Sequence, residues 1–218
     1  MFTARFEAWV RRHAQALMAA LGRLPITPNQ ITFIGLGLTF VASVLVALGH
    51  LQWAGVVLIF AGTFDILDGA LARSSGRSYA YGAFLDSTLD RYSEAAIYIG
   101  LTFYFASTNG PIQRWLLLAT VAALAGSFLV SYVRARAQSL GFTCETGLFK
   151  RPERVVVTVV GLIFGGVVLA FVVFLLAILT NLTALQRIRE VWLQGRAQRL
   201  AMEREAAAAP KAGKTVSP

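Results

Sequence analysis

The sequence predicts an all-α integral membrane protein: six transmembrane helices preceded by an amphipathic juxtamembrane helix. Three observations carry this. Of 218 residues, 56% are hydrophobic and only 14% charged, and the mean hydropathy is +0.63, whereas soluble domains are nearer a quarter charged. Apolar runs of about 20 residues recur along the chain, the length needed to cross a bilayer. Glycine, proline and asparagine sit between these runs, where helices end. The formal charge of +9 by itself suits nucleic acid or an anionic lipid surface. The apolar runs select lipid and exclude nucleic acid. Cys144 is the only cysteine, so no intramolecular disulfide or cysteine-rich zinc site forms.

Residues 1–24 place Phe2, Phe6, Trp9, Val10, Leu17 and Leu21 at helical spacing with Arg5, Arg11, Arg12 and Arg23 between them. That pattern predicts a helix lying on the membrane surface, and it lacks the compact apolar core of a cleaved signal peptide. Pro25 and Pro28 end it. The membrane domain is expected over residues 25–192, with spans over Ile31–Leu48, Leu51–Ala72, Ala83–Ala106 and Ile112–Val133. A polar loop then runs from Arg134 to Arg154. Val155–Leu185 is too long for one span, and Gly165 and Gly166 near its middle predict two short spans joined there. Residues 193–218, basic and then alanine-rich, form a tail expected to fray into disorder. Arg73, Arg77, Arg134–Arg154, the N-terminal arginines and the tail fall on one side of this topology and Arg114 alone on the other. The positive-inside rule makes the populated side cytoplasmic in a cell membrane.

Within the spans lie Asp65, Asp68, Asp86 and Asp90. An unpaired carboxylate in the bilayer costs at least about 2.5 kcal/mol. The first pair is spaced i, i+3 and the second i, i+4, so each occupies one helix face. The short intervening loop makes the two helices antiparallel neighbours whose carboxylates meet. Converging carboxylates need cations, and hard oxygen ligands select magnesium, manganese or calcium over zinc. A two-metal site follows. Gly69 and Gly82 leave room for a large ligand, and Arg73 is placed to neutralise a phosphate. The bland alternative, charges at helix ends paired with Arg73 or Arg91, would suit one aspartate but not four. His13 and His50 read as interface residues.

The stretch DILDGALARSSGRSYAYGAFLDSTLD, Asp65 to Asp90, resembles the signature of the CDP-alcohol phosphotransferases, D-x2-D-G-x2-A-R, eight residues, G-x3-D-x3-D, with every fixed position present. The resemblance extends from about Pro25 to Arg189. It implies a six-helix, usually dimeric enzyme that moves a substituted phosphate from a CDP-linked donor to an alcohol. It further implies that Asp65, Asp68, Asp86 and Asp90 hold two metal ions, magnesium with manganese as a substitute, and that Asp90 is the general base. Gly69, Ala72, Arg73 and Gly82 would line the nucleotide pocket, and TPNQIT, with Asn29 and Thr32, would touch the donor.

Seven basic residues, Arg134, Arg136, Lys150, Arg151, Arg154, Arg187 and Arg189, gather at the level of the aspartates. Most read as snorkelling topology signals. Arg134, Arg154 and Arg187 are favoured as an anion site, since buried guanidinium groups would lack partners around a neutral acceptor. SYVRARAQSLGFTCETGLFKRPERVVV and TALQRI resemble segments of the phosphatidylinositol-phosphate synthase branch, which implies that these three arginines hold the phosphate of inositol phosphate. The expected reaction is therefore transfer from CDP-diacylglycerol, or an ether analogue, to a phosphorylated polyol, with glycerol 3-phosphate as the alternative acceptor. A cation-coupled transporter and a membrane adaptor without chemistry are the rivals from other classes. Gly161–Gly165 offers small-residue spacing for helix packing, between copies or within one chain.

Overall fold

The computed structural model describes residues 28–74, 80–147 and 149–208, apart from the side chains of 28, 66–74 and 208. The interfacial helix expected over residues 1–24, Arg77 and the last ten residues lie outside it. The described residues form six helices: α1 (Pro28–Ala47), α2 (Leu51–Ser74), α3 (Ala80–Ser107), α4 (Gln113–Ser139), α5 (Arg151–Phe164) and α6 (Gly166–Ala208). The expected loop from Arg134 to Arg154 shrinks to residues 140–150, because α4 continues to Ser139 and α5 begins at Arg151.

The punctuation acts as local chemistry predicts. Gly49 at φ +81 ends α1, donating to Val46 O (2.9 Å) while His50 donates to Leu45 O (2.8 Å). The Gln113 amide donates to the carbonyls of Phe105 and Ala106, closing the α3–α4 turn. Gly165 at φ +61 and Gly166 at φ +48 form the joint between α5 and α6, a left-handed bend that side chains with a Cβ resist.

Among the described residues, three segments, Asn29–Ala47, Gln113–Ser139 and Gly166–Ala207, are long and apolar enough to cross a membrane. The 14 residues of α5 reach about 21 Å, short of the roughly 30 Å hydrocarbon layer. Large apolar side chains such as Phe33, Phe40, Trp53, Phe103, Trp115 and Phe171 point outward, as lipid requires. Buried hydroxyls inside return their protons to their own helices: Thr39 to Gly35 O, Thr120 to Leu116 O, Thr158 to Arg154 O and Thr180 to Leu176 O. Each of these hydroxyl protons is thereby satisfied within the dry interior.

The helices close into a ring in the order α1, α2, α5, α6, α4, α3 and back to α1. This corrects the expected adjacency of the aspartate helices. Among the described residues α2 and α3 share no extensive contact, because α1 packs against both. Small residues let it in. A Cβ on Gly100 of α3 would lie 2.5 Å from the Ser43 carbonyl oxygen of α1, and the Ser43 hydroxyl donates to the Ala96 carbonyl. On the far side, a Cβ on Gly126 of α4 would strike Thr180 and Asn181 of α6.

The end of α6 continues past residue 192 without a break and holds the 140–150 loop. Arg187, Glu190 and Gln194 share one face; Arg187 Nε donates to Thr146 O (2.9 Å), Glu190 accepts from the Thr146 hydroxyl (2.5 Å), and Gln194 Nε2 donates to Thr143 O (2.7 Å). Cys144 is fully buried within this latch, and burial pushes its thiol pKa up, against the pull of the Arg187 charge. It therefore stays protonated at neutral pH.

The packing predicts contrasting outcomes for two glycines. Gly100→Ala forces α1 and α3 apart and should cost about 1–3 kcal/mol. Gly37→Ala, with nothing within 4 Å of its Cβ, should be neutral or slightly stabilising. Thermal unfolding in detergent checks both.

Candidate active site

The site is assembled at the end of the ring where α1 and α3 begin, α2 and α4 end and α5 starts. Asp65 lies in the second half of α2, nine residues before its end, and Asp90 is the eleventh residue of α3. They face each other across the ring and meet on a cation supplied by a third helix. Nη2 of Arg151, the first residue of α5, lies 2.9 Å from Asp65 Oδ2 and 2.8 Å from Asp90 Oδ1. Asp86, one turn before Asp90, is close enough to Asp65, Asp90 and Arg151 to interact electrostatically with each. Arg91 approaches Asp90 at 3.8 Å. Thus Asp65, Asp86 and Asp90 are gathered in one field, as expected from their spacing. The side chains of Asp68, Gly69, Ala72 and Arg73 lie outside the described residues.

Among the described residues, no three acidic, histidine or cysteine side chains form a complete metal-binding group. The donor set nevertheless fits a divalent cation. Two hard carboxylate oxygens from different helices converge on one positively charged nitrogen, which marks a position where a cation is held from both sides.

Asn29 and Gly82 are neighbours, with Asn29 Oδ1 3.8 Å from the position of a Gly82 Cβ. Thr32 is buried on α1 in the same region of sequence. The starts of α1 and α3 therefore lie together, and a bare backbone at Gly82 faces the asparagine amide. A partly open cleft runs between α1, α2, α3 and α5, lined by Asp65, Glu94, Arg151 and Arg154 and by apolar groups including Leu58, Ile97 and Val155.

The arginines behave less uniformly than the sequence suggests. Arg154 is buried, and its Nε and Nη2 donate to the two oxygens of Glu94 at 2.7 and 3.1 Å, while Nη1 donates to Phe149 O at 3.3 Å. Arg187 is also buried and donates to Thr146 O and, at 2.6 Å, to Val130 O. Arg134 is exposed. Both Arg134 and Arg154 lie within electrostatic reach of Arg187, so the three do gather. The expectation that they lack partners in the absence of an anion is corrected, because protein oxygens already satisfy the two buried ones.

Two charged residues with direct roles in this arrangement, Glu94 and Arg151, were not singled out by the sequence. A signal for Glu94 existed: Asp86, Asp90, Glu94 and Tyr98 recur every four residues along one face of α3. Arg151 had none, since it stands among basic residues at a membrane boundary.

The buried Glu94–Arg154 pair predicts that Glu94→Gln, which leaves the guanidinium underpaired, destabilises the protein by about 3 kcal/mol. The double variant Glu94→Gln/Arg154→Met should recover much of that loss, because no buried charge is left alone. Thermal unfolding of both shows whether the recovery occurs; equal loss in the two would contradict this account of the pair.

Comparison with known proteins bears on what this site does. The sequence profile of the CDP-alcohol phosphatidyltransferase family matches residues 25–185. A phosphatidylinositol phosphate synthase of Corynebacterium glutamicum is 39% identical over 157 residues, which cover 70% of this chain and 71% of the relative. An archaetidylinositol phosphate synthase of Pyrococcus horikoshii is 38% identical, covering 83% of this chain and 92% of the relative. The crystal structure of Mycobacterium tuberculosis phosphatidylinositol phosphate synthase with CDP-DAG bound superposes with a TM-score of 0.75 at 33% identity, over 83% of this chain and 94% of that one. A structure of the same mycobacterial enzyme in complex with manganese and citrate also gives a TM-score of 0.75. With its profile spanning most of the sequence and relatives matched over most of their length, this chain belongs to the CDP-alcohol phosphatidyltransferase family.

Proposed function

We propose that the protein transfers the phosphatidyl group of CDP-diacylglycerol, or of an ether-lipid analogue, to inositol phosphate, giving a phosphatidylinositol phosphate and CMP. The observation that carries this reading is the meeting of Asp65 and Asp90 on one cationic nitrogen beside Arg154. It supplies carboxylates for a divalent metal next to guanidinium groups suited to phosphate. Relatives from a bacterium and an archaeon, named for different lipids, are both named for inositol phosphate products.

In this reading Asp65, Asp68, Asp86 and Asp90 hold two magnesium ions, with manganese able to replace them. When bound, the metal draws charge from the donor's pyrophosphate and stabilises departing CMP. The chain's own residues do the rest. Asp90 accepts the proton of the acceptor hydroxyl as its oxygen forms a bond to the lipid-side phosphorus and the bond from that phosphorus to CMP breaks. Asn29, Thr32, Gly69, Ala72, Arg73 and Gly82 position the CDP moiety. Arg134, with the remaining N–H groups of Arg154 and Arg187, holds the acceptor's phosphate; since the two buried arginines keep protein partners, Arg134 is the one with its whole fork accessible. The same reading carries a homodimer, as the family resemblance implies, and a site on the cytoplasmic face, which the basic residues gathered at this end of the ring support.

The test supplies purified protein with CDP-diacylglycerol and, separately, inositol phosphate, glycerol 3-phosphate and free inositol, and measures CMP. Inositol phosphate should be the preferred acceptor, and Asp90→Asn should lower the rate at least about a hundredfold. Glycerol 3-phosphate as sole acceptor would overturn the choice of substrate. Free inositol outperforming its phosphate would overturn the role of the arginines.

A further inference from the structure

Two arginines one turn apart at the start of α5 are held very differently. Arg154 spends the Nε and Nη2 edge of its fork on Glu94 and is locked. Arg151 reaches Asp65 and Asp90 through Nη2, and its Nε is buried without any hydrogen-bond partner. Among the described residues it is the only buried side-chain nitrogen or oxygen left so.

We propose that Arg151 is a displaceable internal counter-ion, which joins Asp65 to Asp90 until a divalent cation takes their oxygens and then turns its fork to a substrate phosphate. This rests on the reading of those two aspartates as metal ligands. The geometry makes the two occupants mutually exclusive. Nη2 stands 2.8–2.9 Å from both oxygens, and a magnesium ion binding the same oxygens at about 2.0–2.1 Å leaves no room for nitrogen between them. The exchange proceeds on metal alone at sufficient concentration and becomes most favourable when the displaced guanidinium finds another anion. A divalent cation brings more charge to the carboxylates than it removes, but it also repels the neighbouring guanidinium.

The orphaned Nε shows where the freed side chain gains. Rotating away from the carboxylates exposes the Nε–Nη2 edge, the bidentate face that Arg154 has already committed and that suits two phosphate oxygens. The pivot is fixed. The Glu153 carboxylate accepts from the Lys150 N–H at the start of α5, and the latch from α6 holds the loop before it. The long arginine side chain therefore moves on a stationary backbone, and metal loading becomes coupled to arrival of the phosphorylated substrate. Premature metal capture is penalised, and substrate relieves the penalty.

Manganese binding to metal-stripped protein in detergent, read from the electron spin resonance signal of the free ion, tests the competition without catalysis. Arg151→Gln should bind manganese about tenfold more tightly than the wild type in the absence of substrate, because the internal competitor is gone. In the wild type, labelling of Arg151 by phenylglyoxal, located by peptide mass spectrometry, should rise when manganese is added. This second readout needs no variant to fold. Equal or weaker manganese binding by Arg151→Gln, or labelling indifferent to manganese, would overturn the inference alone. No manganese binding to either protein would overturn the metal-ligand reading and the inference with it.

Discussion

Carboxylates placed inside a membrane protein must be given cations, and the rest of this structure depends on that constraint. Asp65, Asp90 and Glu94 are carried on two helices, and each finds a guanidinium supplied by a third, α5. The pairing explains why α5 is short and starts with arginines. Its first turn has to reach the carboxylate level, and its last residue has to meet the glycine joint that turns the chain into α6. Without those pairs, three acids facing a low-dielectric interior would cost several kcal/mol each.

The ring order serves the same end. By wedging between α2 and α3, α1 keeps the two aspartate helices apart at the backbone, and their side chains approach across an open space. A direct α2–α3 interface would fill that space with packed side chains. The resulting cavity joins the carboxylates to the wall bearing Glu94 and Arg154. On the opposite flank, the extension of α6 has a structural task, since Arg187, Glu190 and Gln194 fasten the loop from which α5 begins. The position of Arg151 and Arg154 is thus set from both ends of the chain's second half.

Much of this was legible before the structure. The helix ends followed from Gly49 and the Gly165–Gly166 pair, because left-handed bends leave local marks. The spacing of Asp65, Asp86 and Asp90 showed which carboxylates share a face, and the signature around them pointed to the family. What could not be read was which helix lies beside which. That choice turns on contacts such as Gly100 against Ser43, where one missing Cβ decides how closely two backbones approach, and hydropathy does not encode it. Nor could composition separate Arg151 from arginines that merely mark a membrane boundary, or show that Arg154 and Arg187 already have protein partners. The carboxylates that Arg151 and Arg154 meet lie 60 to 86 residues away, and Arg187 donates to backbone carbonyls, which carry no sequence signal.

The central claim is that this carboxylate cluster works by holding a divalent cation. It is tested most directly by following CMP release from CDP-diacylglycerol and inositol phosphate in the presence of a chelator and after magnesium is restored. The account predicts loss of activity by at least about a hundredfold in chelator and full recovery with magnesium. Undiminished CMP release in chelator would contradict it.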